Sequence, residues 1–268
     1  MDGNGSKLHS VNSSGKPNWA VTVPEADKLT VMNDGTIILI NPSKRDAKGI
    51  FSPWAYAYSA TGKKLAERAL SNTYDVLDGQ YLLSQIGDST NAKIEAYGTK
   101  LNKLFTYTPP KGAYLDVSEA SWVINKSELL IRMDLPKTGN RLIALDSKGK
   151  TLWGRNIAGN ASVQSTGQNY VVYENEEIKV YGATGLILKK PMKLIDPMHL
   201  ILKTPDTKMM IYEEEYKSVI DPATLKTIYN IPYDNDKTSV EYYYAGEGYL
   251  YAVKDHYKLF QYKLPSEK

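Results

Sequence analysis

Between Asn41 and Trp54 the chain sets three cations, Lys44, Arg45 and Lys48, beside two aromatic residues, Phe51 and Trp54. Rings and cations bind partners through cation–π and stacking contacts, and both types are enriched at binding hot spots. The same stretch also reads as a solvated insertion whose rings fold back on the protein, since charged loops solvate ordinary turns. A second candidate runs from Thr106 to Asp116. There Pro109 and Pro110 stiffen the backbone between Tyr107 and Tyr114, two rings able to stack on a ligand. Its plainer reading is a linker with tyrosines at its edges. A third, Tyr233-Asp234-Asn235-Asp236, offers oxygen donors, with Tyr233 and Asp236 as the contacts. It lacks the Gly and the closing Glu of an EF-hand loop, so no metal site is assigned to it.

Most catalytic chemistry is excluded by what the sequence omits. Zero Cys among 268 residues removes disulfides, thiolate nucleophiles and zinc–thiolate centres. Three scattered histidines, His9, His199 and His256, leave little for a metal cluster or a Ser–His–Asp triad. No catalytic residue, metal or cofactor is assigned. Glu213-Glu214-Glu215 reads as a solvated turn, because adjacent carboxylates repel and prefer water. The run Val240-Glu241-Tyr242-Tyr243-Tyr244 is either a sugar-stacking platform or a strand with alternating tyrosines. Carboxylates brought together from distant segments are invisible in sequence, so a polysaccharide hydrolase or lyase stays open as the enzymatic alternative. A net charge of +3 is too weak to indicate nucleic acid. No apolar window reaches the roughly 18 residues of a membrane span.

The elements that must carry these residues are short strands in a repeat. Ala144, Asp146, Gly149, Lys150 and Trp153 define its best-preserved unit, and Ser10, Asn12, Gly15, Lys16 and Trp19 repeat the spacing. Ala57, Ser59, Gly62 and Lys63 follow it with Ala66 in the Trp place. Fainter copies are Ala96 with Gly98 and Phe105, Val180 with Gly182 and Gly185, and Val219 with Asp221 and Ile228. Each is a hairpin: apolar alternation flanks a polar turn whose Gly accepts positive φ. A second series alternates with it. Asn33-Asp34-Gly35 precedes Ile37 to Ile40, Asp78-Gly79 precedes Tyr81 to Leu83, and Thr166-Gly167 precedes Tyr170 to Val172. Each of these is a turn followed by a continuous apolar strand, the pattern of a strand buried on both faces. Four strands recur at roughly 36 to 48 residues, a propeller-blade period.

The expected architecture is therefore all-β: one six-bladed β-propeller of four-stranded blades over residues 7–268, with residues 1–6 as linker. Closure by strands from both termini hides the last open edges. Residues 258–264 then make one strand too many. That strand either displaces the one at Lys7 to Asn12 or implies seven blades in a longer parent.

The Ala144, Asp146, Gly149, Lys150, Trp153 spacing resembles the repeat of quinoprotein-type, or PQQ-like, β-propellers. The resemblance implies that Trp19 and Trp153 dock against the neighbouring blade. The quinone-dependent dehydrogenases of that family have eight blades and an adjacent-cysteine disulfide, neither of which this chain can supply. The resemblance thus carries the fold and a non-enzymatic branch. The function expected is binding or scaffolding: a monomer, secreted or at the cell surface of a Gram-positive bacterium, holding a protein or cell-wall polymer at one mouth. A cytoplasmic scaffold would be equally free of disulfides. Trp54 alone falls outside the needs of the repeat, and replacing both Trp54 and Arg45 with Ala is expected to abolish capture without loss of thermal stability.

Overall fold

The computed structural model describes residues 6–45, 49, 51–71, 73–77, 79–88, 90–115, 117, 121–124, 128–166, 168–182, 185–194, 201–202, 209–212, 216–232, 240–246, 249–254 and 258–263. Their regular structure is all β, in antiparallel sheets whose strands follow chain order. Strands β1 (Ser6–Val11) and β2 (Pro17–Val23) form a two-stranded sheet. Four-stranded sheets follow: β3 (Lys28–Val31), β4 (Ile37–Arg45), β5 (Phe51–Tyr58) and β6 (Lys64–Ala69); then β7 (Thr73–Leu77), β8 (Tyr81–Ile86), β9 (Lys93–Tyr97) and β10 (Lys103–Tyr107). The next holds β11 (Ser121–Ile124), β12 (Glu128–Leu135), β13 (Gly139–Leu145) and β14 (Thr151–Asn156). After it come β15 (Ser162–Ser165), β16 (Tyr170–Glu174), β17 (Glu177–Gly182) and β18 (Gly185–Pro191), then β19 (Ile201–Leu202), β20 (Met209–Tyr212), β21 (Tyr216–Asp221) and β22 (Lys226–Pro232). The last sheet is three-stranded: β23 (Val240–Gly246), β24 (Tyr249–Lys254) and β25 (Lys258–Lys263).

The chain divides into two compact units, Met1–Val123 with Ser127–Asn156, and Ile124–Lys126 with Ile157–Lys268. The strand that the sequence left over is β25, which pairs with β24 from Tyr249↔Lys263 to Lys254↔Lys258. Three residues separate β24 from β25, so the partner nearest in sequence takes the edge at the smallest loop-closure cost. Among the described residues β1 pairs with β2 alone.

Second strands are buried on both faces, as their unbroken apolar runs require. Ile38, Leu39 and Ile40 of β4, Leu82 and Leu83 of β8, Leu129 to Ile131 of β12 and Tyr170 to Val172 of β16 are all buried. Fourth strands β2, β6 and β14 alternate exposed and half-buried residues instead. Within the first unit, Met32, Ile38 and Ile40 pack with Leu82, Tyr97 and Leu101. Leu83 and Ile94 pack with Leu129, Ile131 and Ile143. In the second unit Val171 and Ile178 meet Met209, Ile211 and Ile220. Burial of this kind, at about 25 cal/mol per Å² of apolar surface, is the main force holding sheet on sheet.

The turn between third and fourth strands recurs atom for atom. Asn12, Ser59, Gly98 and Asp146 each donate their N–H to the carbonyl four residues on, at 2.8–3.0 Å, and accept from the N–H three residues on, at 2.9 Å. The fourth turn residue is left-handed: Gly15 (φ 78°), Gly62 (82°), Leu101 (56°) and Gly149 (80°). The side-chain oxygens of Asn12, Ser59 and Asp146 accept further N–H groups inside the turn. A register shift follows each turn, the bulge that lets three turn residues close a twisted hairpin. Leu101 tolerates a conformation that costs roughly 1–2 kcal/mol because its side chain is buried in a core cluster.

The left-handed residue also receives a side chain from the preceding sheet. Trp19 of β2 lies on Gly62: its indole Nε1 donates to Ala60 O at 2.9 Å, and a Cβ at Gly62 would come within 2.8 Å of the ring. Phe105 of β10 lies on Gly149, where a Cβ would come within 2.5 Å of its ring. Strand β6 carries Ala66 at the equivalent place, and Arg68 acts two residues later, donating from Nε to Leu101 O at 3.0 Å. In the two faintest copies the residue facing the repeat's first position is Leu188 opposite Val180 and Tyr229 opposite Val219, which moves the ring place from Ile228 to Tyr229. The shorter β17–β18 turn and the longer β21–β22 turn account for these shifts. Trp153 occupies the same place opposite Ala144.

Gly15→Ala, Gly62→Ala and Gly149→Ala separate backbone from docking, because nothing lies within 4 Å of a Cβ at Gly15. Gly15→Ala is expected to cost about 1–2 kcal/mol, the left-handed backbone alone. The other two are expected to cost about 1–3 kcal/mol more, through overpacking against a fixed ring. Melting temperatures measure this, and equal losses at all three positions would show that docking imposes no constraint.

Asp146 supplies a pH test. The Lys150 and Lys148 backbone N–H groups hold its carboxyl below the ordinary value of 3.8. Its contribution is complete above that value and is lost as pH falls through the lower folded value. Asn12 performs the same hydrogen bonding without a charge. Asp146→Asn is therefore expected to keep neutral-pH stability while flattening the decline below the ordinary carboxyl value of 3.8 in acid unfolding scans.

Candidate functional site

In each sheet the strand order brings two connections to one end: second strand to third, and fourth strand to the next sheet. The candidates of the first unit lie at that end. Asn41 to Arg45 and Phe51 to Trp54 are not loop, as the sequence suggested, but the extended ends of β4 and β5, while Lys48 lies outside the described residues. Asn41 faces Trp54, Lys44 faces Ser52 and Arg45 faces Phe51, with a bulge between Asn41 and Lys44. The physical reason is cross-strand pairing of cations with rings. Lys44 Nζ sits 3.5 Å from the centroid of Trp54, and the Arg45 guanidinium 4.1 Å from that of Phe51.

The two rings differ in role. Trp54 is half-buried, packs against the Val23, Leu39, Tyr56 and Tyr58 cluster, and donates from Nε1 to Ser52 Oγ at 3.2 Å. It is part of the sheet's packing, so its loss costs stability, contrary to the expectation from sequence. Phe51 is 55% exposed, and Arg45 is exposed beside it. Tyr56, Lys64 and Glu67 extend the array. Lys64 Nζ lies 5.4 Å from the Tyr56 centroid and 2.9 Å from Glu67 Oε2. The Lys64 hydrogen bond holds the Glu67 carboxyl below its ordinary value, with Lys44 adding to the effect. Sequence reasoning missed these three. Their signal was register, since Tyr56 follows Trp54 by two residues and faces Glu67.

Tyr107 and Tyr114 are not equivalent. Tyr107, at the end of β10, packs against the cluster around Leu129 and Ile143. Burial pushes its hydroxyl up, while a Thr151 hydrogen bond and the Arg141 charge pull it down. Tyr114 is 52% exposed, and its backbone exchanges hydrogen bonds of 2.8 and 2.9 Å with Asp134. The chain on either side of Tyr114 is anchored by buried Ala113, Leu115 and Val117. Tyr233 and Asp236, like Glu213 to Glu215, lie outside the described residues.

Other charged groups serve the framework. Burial raises the Tyr97 hydroxyl to about 12, assisted by its hydrogen bond to Glu95, and Arg68 stacks 4.7 Å above that ring. In the second unit Glu174 accepts from Ala158 N at 2.8 Å and from Lys179 Nζ at 2.9 Å, with both side chains largely buried. This pair ties the connection before β15 to the end of β16, next to a tight turn with Asn175 and Glu176 at φ 53° and 56°. Among the described residues no three His, Asp or Glu side chains converge to hold a metal ion, and no helix is long and apolar enough to cross a membrane.

No family model and no curated protein matches the sequence. Solved structures do match. BamB from Moraxella catarrhalis is 13% identical with a TM-score of 0.51, over 98% of this chain and 78% of that one. The β-propeller domain of the Trilobed protease from Pyrococcus furiosus is 10% identical with a TM-score of 0.53, over 88% and 80%. KlAtg21, in complex with the coiled coil of AgAtg16, is 9% identical with a TM-score of 0.51, over 91% and 95%. At these identities the likeness establishes the fold alone: the successive antiparallel sheets are those of a β-propeller.

Proposed function

We propose that the chain is a non-catalytic propeller that captures a partner protein at the β4–β5 end. The observation that carries this reading is the Arg45–Phe51 pair, an exposed ring with a guanidinium 4.1 Å from its centroid. Arginine and aromatic side chains dominate binding energy at protein interfaces, and here the β4–β5 ladder holds the two directly opposite one another. A protein of similar fold, KlAtg21, forms a complex with a coiled coil, which supports a protein as the partner. A cell-wall polymer is the alternative ligand. The finer reading is a PQQ-like propeller of the non-enzymatic branch, monomeric and exported to a Gram-positive cell surface. Six blades follow from the repeat, and the separate sheets β1–β2 and β23–β25 support seven as the alternative.

The hydrolase or lyase reading needs a carboxyl held protonated to act as general acid. Among the described residues, Asp34, Glu67, Asp88, Glu95, Asp146 and Glu177 are all shifted the other way. Nothing in their placement favours that chemistry.

Affinity capture from cell-surface extract, followed by titration with the purified partner, tests the proposal. The Arg45→Ala/Phe51→Ala variant is expected to bind at least tenfold more weakly, about 1.4 kcal/mol, at an unchanged melting temperature. Trp54→Ala is expected to lower the melting temperature, because about 1–3 kcal/mol of packing is lost from a half-buried ring. Undiminished capture by the double variant would place the binding surface elsewhere.

A further inference from the structure

We propose that a cavity at the end of β7 and β8 binds a neutral, polyhydroxylated ligand of sugar size. Its volume is about 510 Å³, and its walls are Ser71, Thr73, Gln85, Ile86, Gly87 and Asp88. Small-molecule sites span roughly 300–1,000 Å³. Nothing in the partner-capture reading uses these residues, and the cavity stands independently of it.

Gln85 carries the argument. It is 4% exposed, on a strand whose other central residues are apolar or hydrogen-bonded, and its Oε1 is buried without a hydrogen-bond partner. A buried amide carbonyl left unmade is costly, and such groups in native proteins call for a missing donor. Thr73 faces Gln85 directly across the β7–β8 ladder, so a hydroxyl and an amide stand side by side on one wall. An amide offers donors and an acceptor together, which suits the paired hydroxyls of a sugar.

The rest of the rim is fixed before any ligand arrives. Ser71 donates from its backbone N–H to Ser84 Oγ at 2.9 Å, and the two hydroxyls meet at 3.0 Å. Gly87 has φ 88°, and a Cβ there would fall 2.9 Å from Asn91 O, so no side chain closes the entrance at that point.

The wall chemistry selects against ions. Among the described residues no cation lines the cavity, so none of them balances an anion. Among the described lining residues the one charge is Asp88, whose Oδ1 accepts from Thr90 N, Thr90 Oγ1, Asn91 N and Asn91 Nδ2 at 2.8–3.4 Å. The Thr90 hydroxyl first, then the loop N–H groups, hold this carboxyl below its ordinary value. Its charge is spent on its own loop and gives an ammonium group little to pair with. Ile86, 43% exposed, supplies the apolar patch that the C–H face of a sugar ring requires. A hydroxyl-rich neutral molecule meets each of these demands.

The test titrates the whole chain with D-glucose, N-acetyl-D-glucosamine and, as a counter-probe, ethylammonium chloride, following backbone amides by NMR. Either sugar is expected to shift the amides of Thr73 and Gln85 to Asp88. Gln85→Leu is expected to weaken that binding at least tenfold with a melting temperature equal to or above the parent's, because it removes the unpaired carbonyl. Thr73→Val, on the rim, is expected to weaken it as well and serves should Gln85→Leu fail to fold. Phe51→Ala is expected to leave the sugar response intact whatever becomes of partner capture. Silence at these amides with both sugars at tens of millimolar overturns the proposal, as does full binding by a folded Gln85→Leu or Thr73→Val, or a response to ethylammonium alone.

Discussion

The left-handed residue of the turn between third and fourth strands is the constraint on which the first unit depends. It closes the hairpin, and it also lies beneath a side chain from the sheet before it. Gly62 carries Trp19, Leu101 accepts from Arg68, and Gly149 carries Phe105. Where a ring lies flat, the absence of a Cβ matters twice: once for φ, once for the 2.5–2.8 Å approach. Where a guanidinium reaches a carbonyl instead, no flat approach is needed, and Leu101 fills the place with its own side chain buried. Apolar burial between sheets supplies most of the energy, but it is non-directional. The docked turn supplies direction.

This division explains how much of the fold was legible in sequence. The Gly, Lys and Trp spacing could be read because its best-preserved copies, at Gly15 and Gly149, obey local turn chemistry and strand alternation, both short-range. The buried second strands could be read for the same reason, since Ile37 to Ile40 and Tyr81 to Leu83 have no polar alternation. Arg68 could not. Its function was displaced two residues from Ala66, and only the neighbouring sheet reveals what it reaches. The places of Leu188 and Tyr229 were hidden by turns one residue shorter and one longer than the repeat, a change that moves every cross-strand partner beyond them.

The candidate site was legible in composition and misread in structure. Lys44, Arg45, Phe51 and Trp54 stand at the ends of β4 and β5, where charge was taken as the sign of a loop. Cation–π pairing allows the opposite: cations set across from rings extend a hairpin past its apolar part. Burial then divides the rings between packing and display, and sequence holds no record of burial at an edge. Gln85 was invisible for a related reason. A polar residue at the end of an apolar strand looks like the start of solvent, whereas here it lies under the rim of a cavity.

Strand order ties these observations together. One end of a sheet holds the turn committed to docking, and its sequence is limited to residues that accept a left-handed backbone and a neighbour's side chain. The opposite end carries no such duty. Its second-to-third-strand connections differ from sheet to sheet: a cation–ring extension at Arg45 and Phe51, a left-handed Gly87 at the cavity rim, a left-handed Gly139, and a tight turn at Asn175 and Glu176. Repetition at one end and variety at the other are what a framework shows when stability and recognition occupy opposite edges of the same strands. A substitution at the docking end changes how sheets meet, whereas one at the varied end changes what the surface can hold. Trp54 belongs to both classes, because its ring is packed beneath while Lys44 covers it from above. It marks the depth at which packing gives way to recognition.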